Sequence, residues 1–397
     1  MTSSTPAVEV PGPAGQHGPP RFSGAEMARR RDALDAAMAA AGVEVAVLYG
    51  ANKAGSAVQW LTGWPVTREA AVVHRPGERD LLLVSFYNHV PQARRTALDA
   101  DVDWAGPDLG RALVEAVAGP APAAGTRLGV VGAVPFGLHA SLASAFGAPT
   151  DLNRAYTGLR LRKSAEEVDW LRRAARLTDL SCAALRDGAR LGDTEYQLGA
   201  LVEGSYLPLG GTNYIHYFSV TSMESPTQCV PSQWPGPRPL AAGDVLSCEL
   251  STSYGVDYPG QLLRTFTVAA EPTPLYADLH AVADAALERV GEVLRPGATA
   301  EEIVEAASVI EAAGYTTVDD LVHGLGGAYL PPIIGSASRT LEPLPTLAVE
   351  AGMTLVVQPN VTTTDGLAGV QTGELFHVTA TGCERLHDFP RGLGRLG

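Results

Sequence analysis

Apolar positions take up helical spacing from about residue 21, where Met27, Leu34, Met38 and Ala41 fall seven, four and three residues apart before Gly42 ends the run. Short apolar runs at 43–48 (VEVAVL), 70–73, 81–84 and 128–131 read as strands, with helical stretches around 109–117 and 137–146 among them. That mixture predicts an α/β domain. Residues 159–185 form one long amphipathic pattern in which Ser164 stands three residues before Glu167, the spacing of a capping box. A domain boundary just before it gives domains over 21–157 and 158–397. In the second domain a helix near 194–204 precedes a loop-rich stretch with many Gly and Pro residues. A strand pair over 245–268, helices over 274–294 and 300–313, and strands around 353–358 and 374–379 follow. Helices covering several antiparallel strands predict an α+β domain.

Composition narrows the function. At 397 residues and 46% hydrophobic content, the chain suits two folded domains with substantial cores. No apolar run reaches the ~18 residues of a membrane span. Residues 1–20 are rich in Pro, Gly, Ser and Ala without the pattern of a signal peptide, so they read as a disordered leader, and a cytoplasmic location follows. Acidic residues outnumber basic ones 43 to 29, and a formal charge of -14 argues against a nucleic-acid partner. Cys182, Cys229, Cys248 and Cys383 contain no CxxC pair, which suggests reduced thiols rather than a zinc knuckle or disulfide framework.

Four stretches of the second half carry the chemistry. They are GDVLSCELSTSYGVDYPGQLLRTF (243–266), VHGLGGAYLPP (322–332), EAGMTLVVQPNV (350–361) and GVQTGELFHVTATGCERLHDFPR (369–391). In this order they resemble the active-site motifs of the creatinase/aminopeptidase P family, with its pita-bread fold. The resemblance implies an α/β N-terminal domain, a pita-bread C-terminal domain and a homodimer. In the family's peptidases, two Asp residues of the first motif bridge two divalent metals. Carried onto this chain, those positions hold Glu249 and Gln261, separated by one residue more than usual. The metal-binding His falls on His323, and a substrate-facing His seven residues later is replaced by Leu330. The Glu of the third motif is Gln358, that of the fourth is Gly373, and Glu374 stands where the following Asp would be.

A pair of hard cations needs several carboxylate oxygens to neutralise it, and neutral amides cannot supply them. They can exchange hydrogen bonds with a polar substrate. The resemblance therefore implies a pocket without metal or other cofactor, as in creatinase, which cleaves a C–N bond of a guanidino compound. The upstream His that creatinase uses corresponds here to Ser232.

The expected catalytic residues are Glu249, His323 and Glu374. Glu249, following the apolar VLSC, would have its pKa raised by burial and would activate water or attack carbon directly; His323, before a Gly-rich turn, would shuttle a proton. Gln261, Gln358, His216, Ser232 and Gln371 are expected to bind the substrate. Arg68, in a stretch similar to one that creatinase-like dimers extend into the partner's pocket, is expected to meet a substrate carboxylate. Nothing around Cys229 or Ser232 resembles a nucleophile elbow. The expectation is a metal-independent, creatinase-like hydrolase of an amide, amidine or guanidino bond in a small polar metabolite. Its alternatives are a divergent Xaa-Pro aminopeptidase or dipeptidase using a metal, and a catalytically silent small-ligand-binding protein.

Overall fold

The computed structural model describes residues 20–119, 125–339 and 343–397; apart from Pro20, the leader expected over 1–20 lies outside the described residues. Arg21–Arg160 and Leu161–Gly397 each pack as a compact unit. The fold class is the expected one, an α/β unit followed by an α+β unit.

In the first unit, helix Gly24–Ala41 begins at Ser23, whose Oγ accepts from the Glu26 amide at 3.1 Å. It stops at Gly42, whose φ of +66° strains any residue with a Cβ. Six strands form one sheet in the order Ala100–Trp104, Asp80–Val84, Glu69–His74, Val45–Ala51, Leu128–Val131 and Thr150–Asp151. Along the central strand, Val45, Val47 and Tyr49 enter one core while Ala46 and Leu48 enter the other. Burial on both faces explains why these strands read as continuous apolar runs.

In the second unit, the capping box is present in both directions: the Glu167 amide donates to Ser164 Oγ at 3.2 Å and the Ser164 amide to Glu167 Oε2 at 2.9 Å. Helix Ala165–Gly188 starts there, so residues 159–161 belong instead to a separate helix, Asn153–Leu161. The sheet runs Tyr329–Ile334, Val322–Leu325, Thr354–Val357, Gly373–Val378, Pro259–Val268, Asp244–Tyr254, Gly211–Ser222. The last of these strands lies inside the stretch expected to be loop. A register shift between Asn213 and Ile215 breaks its alternation, and its Tyr, His and Thr residues hide the apolar signal. The helix expected over 300–313 is two short helices, Ala300–Ala306 and Val309–Ala312.

Close helix–sheet contact holds the central strands in place. A Cβ on Gly260 would stand 2.5 Å from Ala175 Cα, so only glycine lets helix Ala165–Gly188 approach this closely. Thr178 of that helix donates from Oγ1 to the Gly260 carbonyl at 2.8 Å and accepts from the Thr252 amide at 3.0 Å. Those bonds anchor the residue before Gln261 and the strand that carries Glu249. Among the described residues, no helix is long and apolar enough to cross a membrane.

Candidate active site

Side chains alternate across a sheet, so cross-strand register decides which residues share a cavity. Tyr217 pairs with Glu249, Glu249 with Leu263, and Gly373 with Leu263. Val356 pairs with His323 and Leu375, which puts His323 on that same face. Gln261 and Gln358 lie two residues along from Leu263 and Val356. The face encloses a cavity of about 390 Å3 whose walls include Glu249, Gln261, His323, Gln358 and Gln371.

The site is bound together by amides. Gln261 Nε2 donates to Glu249 Oε1 at 2.9 Å and to Gln358 Oε1 at 3.0 Å, and Gln358 Nε2 donates to the Asp320 carbonyl at 3.2 Å. Burial, reinforced by the charges of Asp319 and Asp320, pushes the Glu249 carboxyl up to about 8. His323 is only 1% exposed, and burial pulls its imidazole down to about 4, so it is neutral near pH 7. Its Nδ1 lies 3.1 Å from the Gly324 carbonyl, which can only accept; the ring proton therefore sits on Nδ1 and Nε2 offers a lone pair. The Tyr329 ring stacks on the imidazole, with centroids 4.2 Å apart.

The structure takes three expected site residues out of this cavity. Glu374 pairs with Leu262, one residue out of step with Gly373, and so faces the opposite side of the sheet. There it meets Arg264 at 2.5 Å, Arg385 at 2.7 Å and Arg391 at 2.9 Å. Burial raises its carboxyl, but the Arg391 hydrogen bond and the three cations outweigh that and hold it below the usual carboxylate range. His216 pairs with Leu250, also on the far face, where its ring stacks on Phe218. Ser232 Oγ closes a turn, donating to the Trp234 carbonyl at 2.9 Å, while its neighbours Pro231 and Gln233 line the cavity. Arg68, expected at a partner's pocket rather than its own, lies exposed in the N-terminal unit, its guanidinium 5.3 Å from the centre of the Phe86 ring.

Among the wall residues that the sequence reading did not assign to the site are Asp319, Asp320, Tyr214, Tyr217 and Tyr329. The acidic doublet three and four residues before His323 was visible. Nothing local distinguishes it from a solvated loop.

The model of metallopeptidase family M24 matches residues 169–380, over half the chain. This chain belongs to metallopeptidase family M24. The Creatinase/Prolidase N-terminal domain model matches residues 30–162 of this M24 chain. A probable dipeptidase PepE of Mycobacterium bovis is 27% identical over 297 residues, 73% of this chain and 75% of the relative. A Xaa-Pro dipeptidase of Pyrococcus furiosus is 24% identical over 241 residues, 59% of this chain and 65% of that one. The crystal structure of a prolidase from Thermococcus sibiricus superposes with a TM-score of 0.80 at 18% identity, covering 94% of this chain and 100% of the other, which shows the pita-bread architecture. The expected metal-independent, creatinase-like hydrolase of a guanidino or amidine compound is overturned by these relatives, whose names are those of dipeptidases. What stands is membership of a family that hydrolyses C–N peptide bonds.

The donors at the metal positions do not match a two-cation centre. Gln261 and Gln358 are neutral amides engaged with each other, and Glu374 is neutralised by arginines on the far face. Among the described residues, no three of His, Cys, Asp or Glu are disposed to hold a metal ion.

Proposed function

We propose that this M24 chain hydrolyses the peptide bond of a dipeptide-sized substrate bound in the cavity beside Glu249. The observation that carries the reading is the Glu249 carboxyl, set in the wall of a cavity of about 390 Å3 and raised to about 8 by burial and two acidic neighbours. A volume near the lower end of roughly 300–1,000 Å3 for ligand pockets suits a substrate of two residues. The dipeptidase names of the sequence relatives support the same class.

In this mechanism ionised Glu249 takes a proton from the water that attacks the scissile carbonyl carbon. The C–N bond then breaks, and the carboxylic acid returns the proton to the leaving nitrogen. Gln261 orients the carboxylate through its 2.9 Å hydrogen bond. The Tyr217 and Tyr329 phenols, kept protonated by burial and the neighbouring acids, supply O–H donors to the developing oxyanion. Neutral His323 accepts a hydrogen bond at Nε2. The homodimer implied by the family resemblance, with Arg68 reaching the partner's cavity, belongs to this proposal; a monomer mass by light scattering would remove it.

The test is amine release from a panel of Xaa-Pro and other dipeptides, with and without added divalent cations. Turnover that falls by about 10²–10⁴ in Glu249→Gln supports the reading. Turnover of guanidino or amidine compounds alone, or of no dipeptide under either condition, contradicts it.

A further inference from the structure

Among the described residues, the cavity wall carries three carboxyl groups, Glu249, Asp319 and Asp320, and no Lys or Arg side chain. Asp319 accepts from neutral donors, the Asp320 amide at 2.9 Å and Asn360 Nδ2 at 3.3 Å. His323 turns its Nδ1–H to the Gly324 carbonyl at 3.1 Å. An anion entering the cavity therefore meets negative charge and no cation to offset it. Like charges brought together in a site partly removed from water repel strongly enough to exclude a ligand. Two buried acceptors of the wall also have no hydrogen-bond partner, Oδ2 of Asp320 and Oε1 of Gln371. Gln371 is only 1% exposed, so water does not readily satisfy it. An unmet buried acceptor costs stability unless something bound there donates to it.

A dipeptide ends in a carboxylate, which brings these groups more negative charge and no donor. A primary carboxamide at the same end brings no charge and two N–H donors, one for each unmet acceptor. We propose that Asp319, Asp320 and Gln371 make the site select against a free substrate α-carboxylate and for substrates that end in a carboxamide. The proposal deepens the peptidase reading and rests on it for this cavity being the substrate site. The selectivity comes as much from repulsion of the wrong end group as from hydrogen bonds to the right one.

Ligand-detected NMR titration of the full chain near neutral pH, with chelator present, measures this preference without requiring turnover. The probes are L-alanyl-L-alanine, L-alanyl-L-alaninamide and L-alanyl-L-alanyl-L-alanine, which share an α-ammonium and differ only beyond the second residue's carbonyl. The amide is expected to bind about tenfold or more tighter than either acid. Asp319→Asn and Asp320→Asn should each tighten binding of L-alanyl-L-alanine about threefold or more, a gain that an unfolded variant cannot show. Dipeptide binding equal to or tighter than that of the amide overturns the proposal, and loss of that tight binding in Arg68→Ala would assign the carboxylate to Arg68 instead. An amide preference that survives both Asp substitutions, or that appears only when Mn2+ replaces the chelator, also overturns it. A tripeptide bound as tightly as the amide overturns the match of two N–H donors to two acceptors. A chain that keeps the preference but cleaves neither the dipeptide nor its amide overturns the peptidase reading and supports the selectivity. One that cleaves both with equal kcat/KM overturns the selectivity and leaves the peptidase reading standing.

Discussion

Gln261 donates from Nε2 to Oε1 of Glu249 across 2.9 Å, so an amide rather than a second acid steadies the carboxyl at the centre of the cavity. The same nitrogen reaches Gln358 Oε1 at 3.0 Å, which makes Gln261 the link between the strand pair and the Thr354–Val357 region. Gln261→Ala removes both bonds. Steady-state kinetics on a cleaved dipeptide should show kcat reduced about fivefold with a smaller change in KM, the effect of losing about 1 kcal/mol of orientation. An unchanged kcat would mean that Glu249 does not depend on this contact.

Glu249 also sets a pH dependence. Its carboxyl is raised to about 8, and the base form is the ionised one, so kcat/KM should climb with pH and level off above that value. Asp319→Asn removes a negative neighbour, eases ionisation and should move the limb toward lower pH. A limb that stays in place or moves up would exclude Asp319 as a cause of the shift.

The same group influences stability. Because the folded state holds the Glu249 proton more tightly than the unfolded chain, its contribution is complete below the ordinary carboxyl value of 4.5 and is lost as pH rises through about 8. Glu249→Gln should therefore resist urea better than the unsubstituted chain at about pH 9 and show no comparable advantage at about pH 4. Parallel unfolding curves at the two pH values check it.

Glu374 behaves in the opposite sense. With Arg264, Arg385 and Arg391 around a fully buried carboxylate, Glu374→Gln leaves three guanidinium groups without their counter-charge and should cost about 3–5 kcal/mol in denaturant unfolding near neutral pH. Its carboxyl lies below the usual range, so the stabilisation is present above 4.5 and is lost as pH falls through the depressed value. Folded variant should keep kcat within about threefold, since Glu374 faces away from the cavity.

His216 and Tyr217 provide a test of the face assignment itself. They are adjacent, but only Tyr217 lines the cavity. His216→Leu should leave kcat/KM within about twofold, whereas Tyr217→Phe, which removes a donor near Glu249, should lower it about tenfold. Equal effects would show that the strand register does not sort these two side chains.

Much of the architecture was legible because its causes are local. The Ser164–Glu167 cap, the stop at Gly42 and the apolar runs of the first sheet each need only a few neighbouring residues, and the ordered motifs located Glu249, Gln261, His323, Gln358 and Gln371. The same motifs point to hydrolysis of a C–N bond, in keeping with the family, but not to its substrate: missing metal donors suggest creatinase-like chemistry, whereas the relatives are named as dipeptidases. Which side chains share the cavity was decided only by tertiary structure. Glu374 and Arg264 stand 110 positions apart, and a one-residue difference in cross-strand register sends Glu374 to the arginines while glycine at 373 faces the cavity. The shifted register near Asn213 and the folding of Asp319, Asp320 and Tyr329 onto the Glu249 strand likewise depend on pairing between distant strands. Local pattern governs whether a strand forms; register across the sheet governs what its side chains meet.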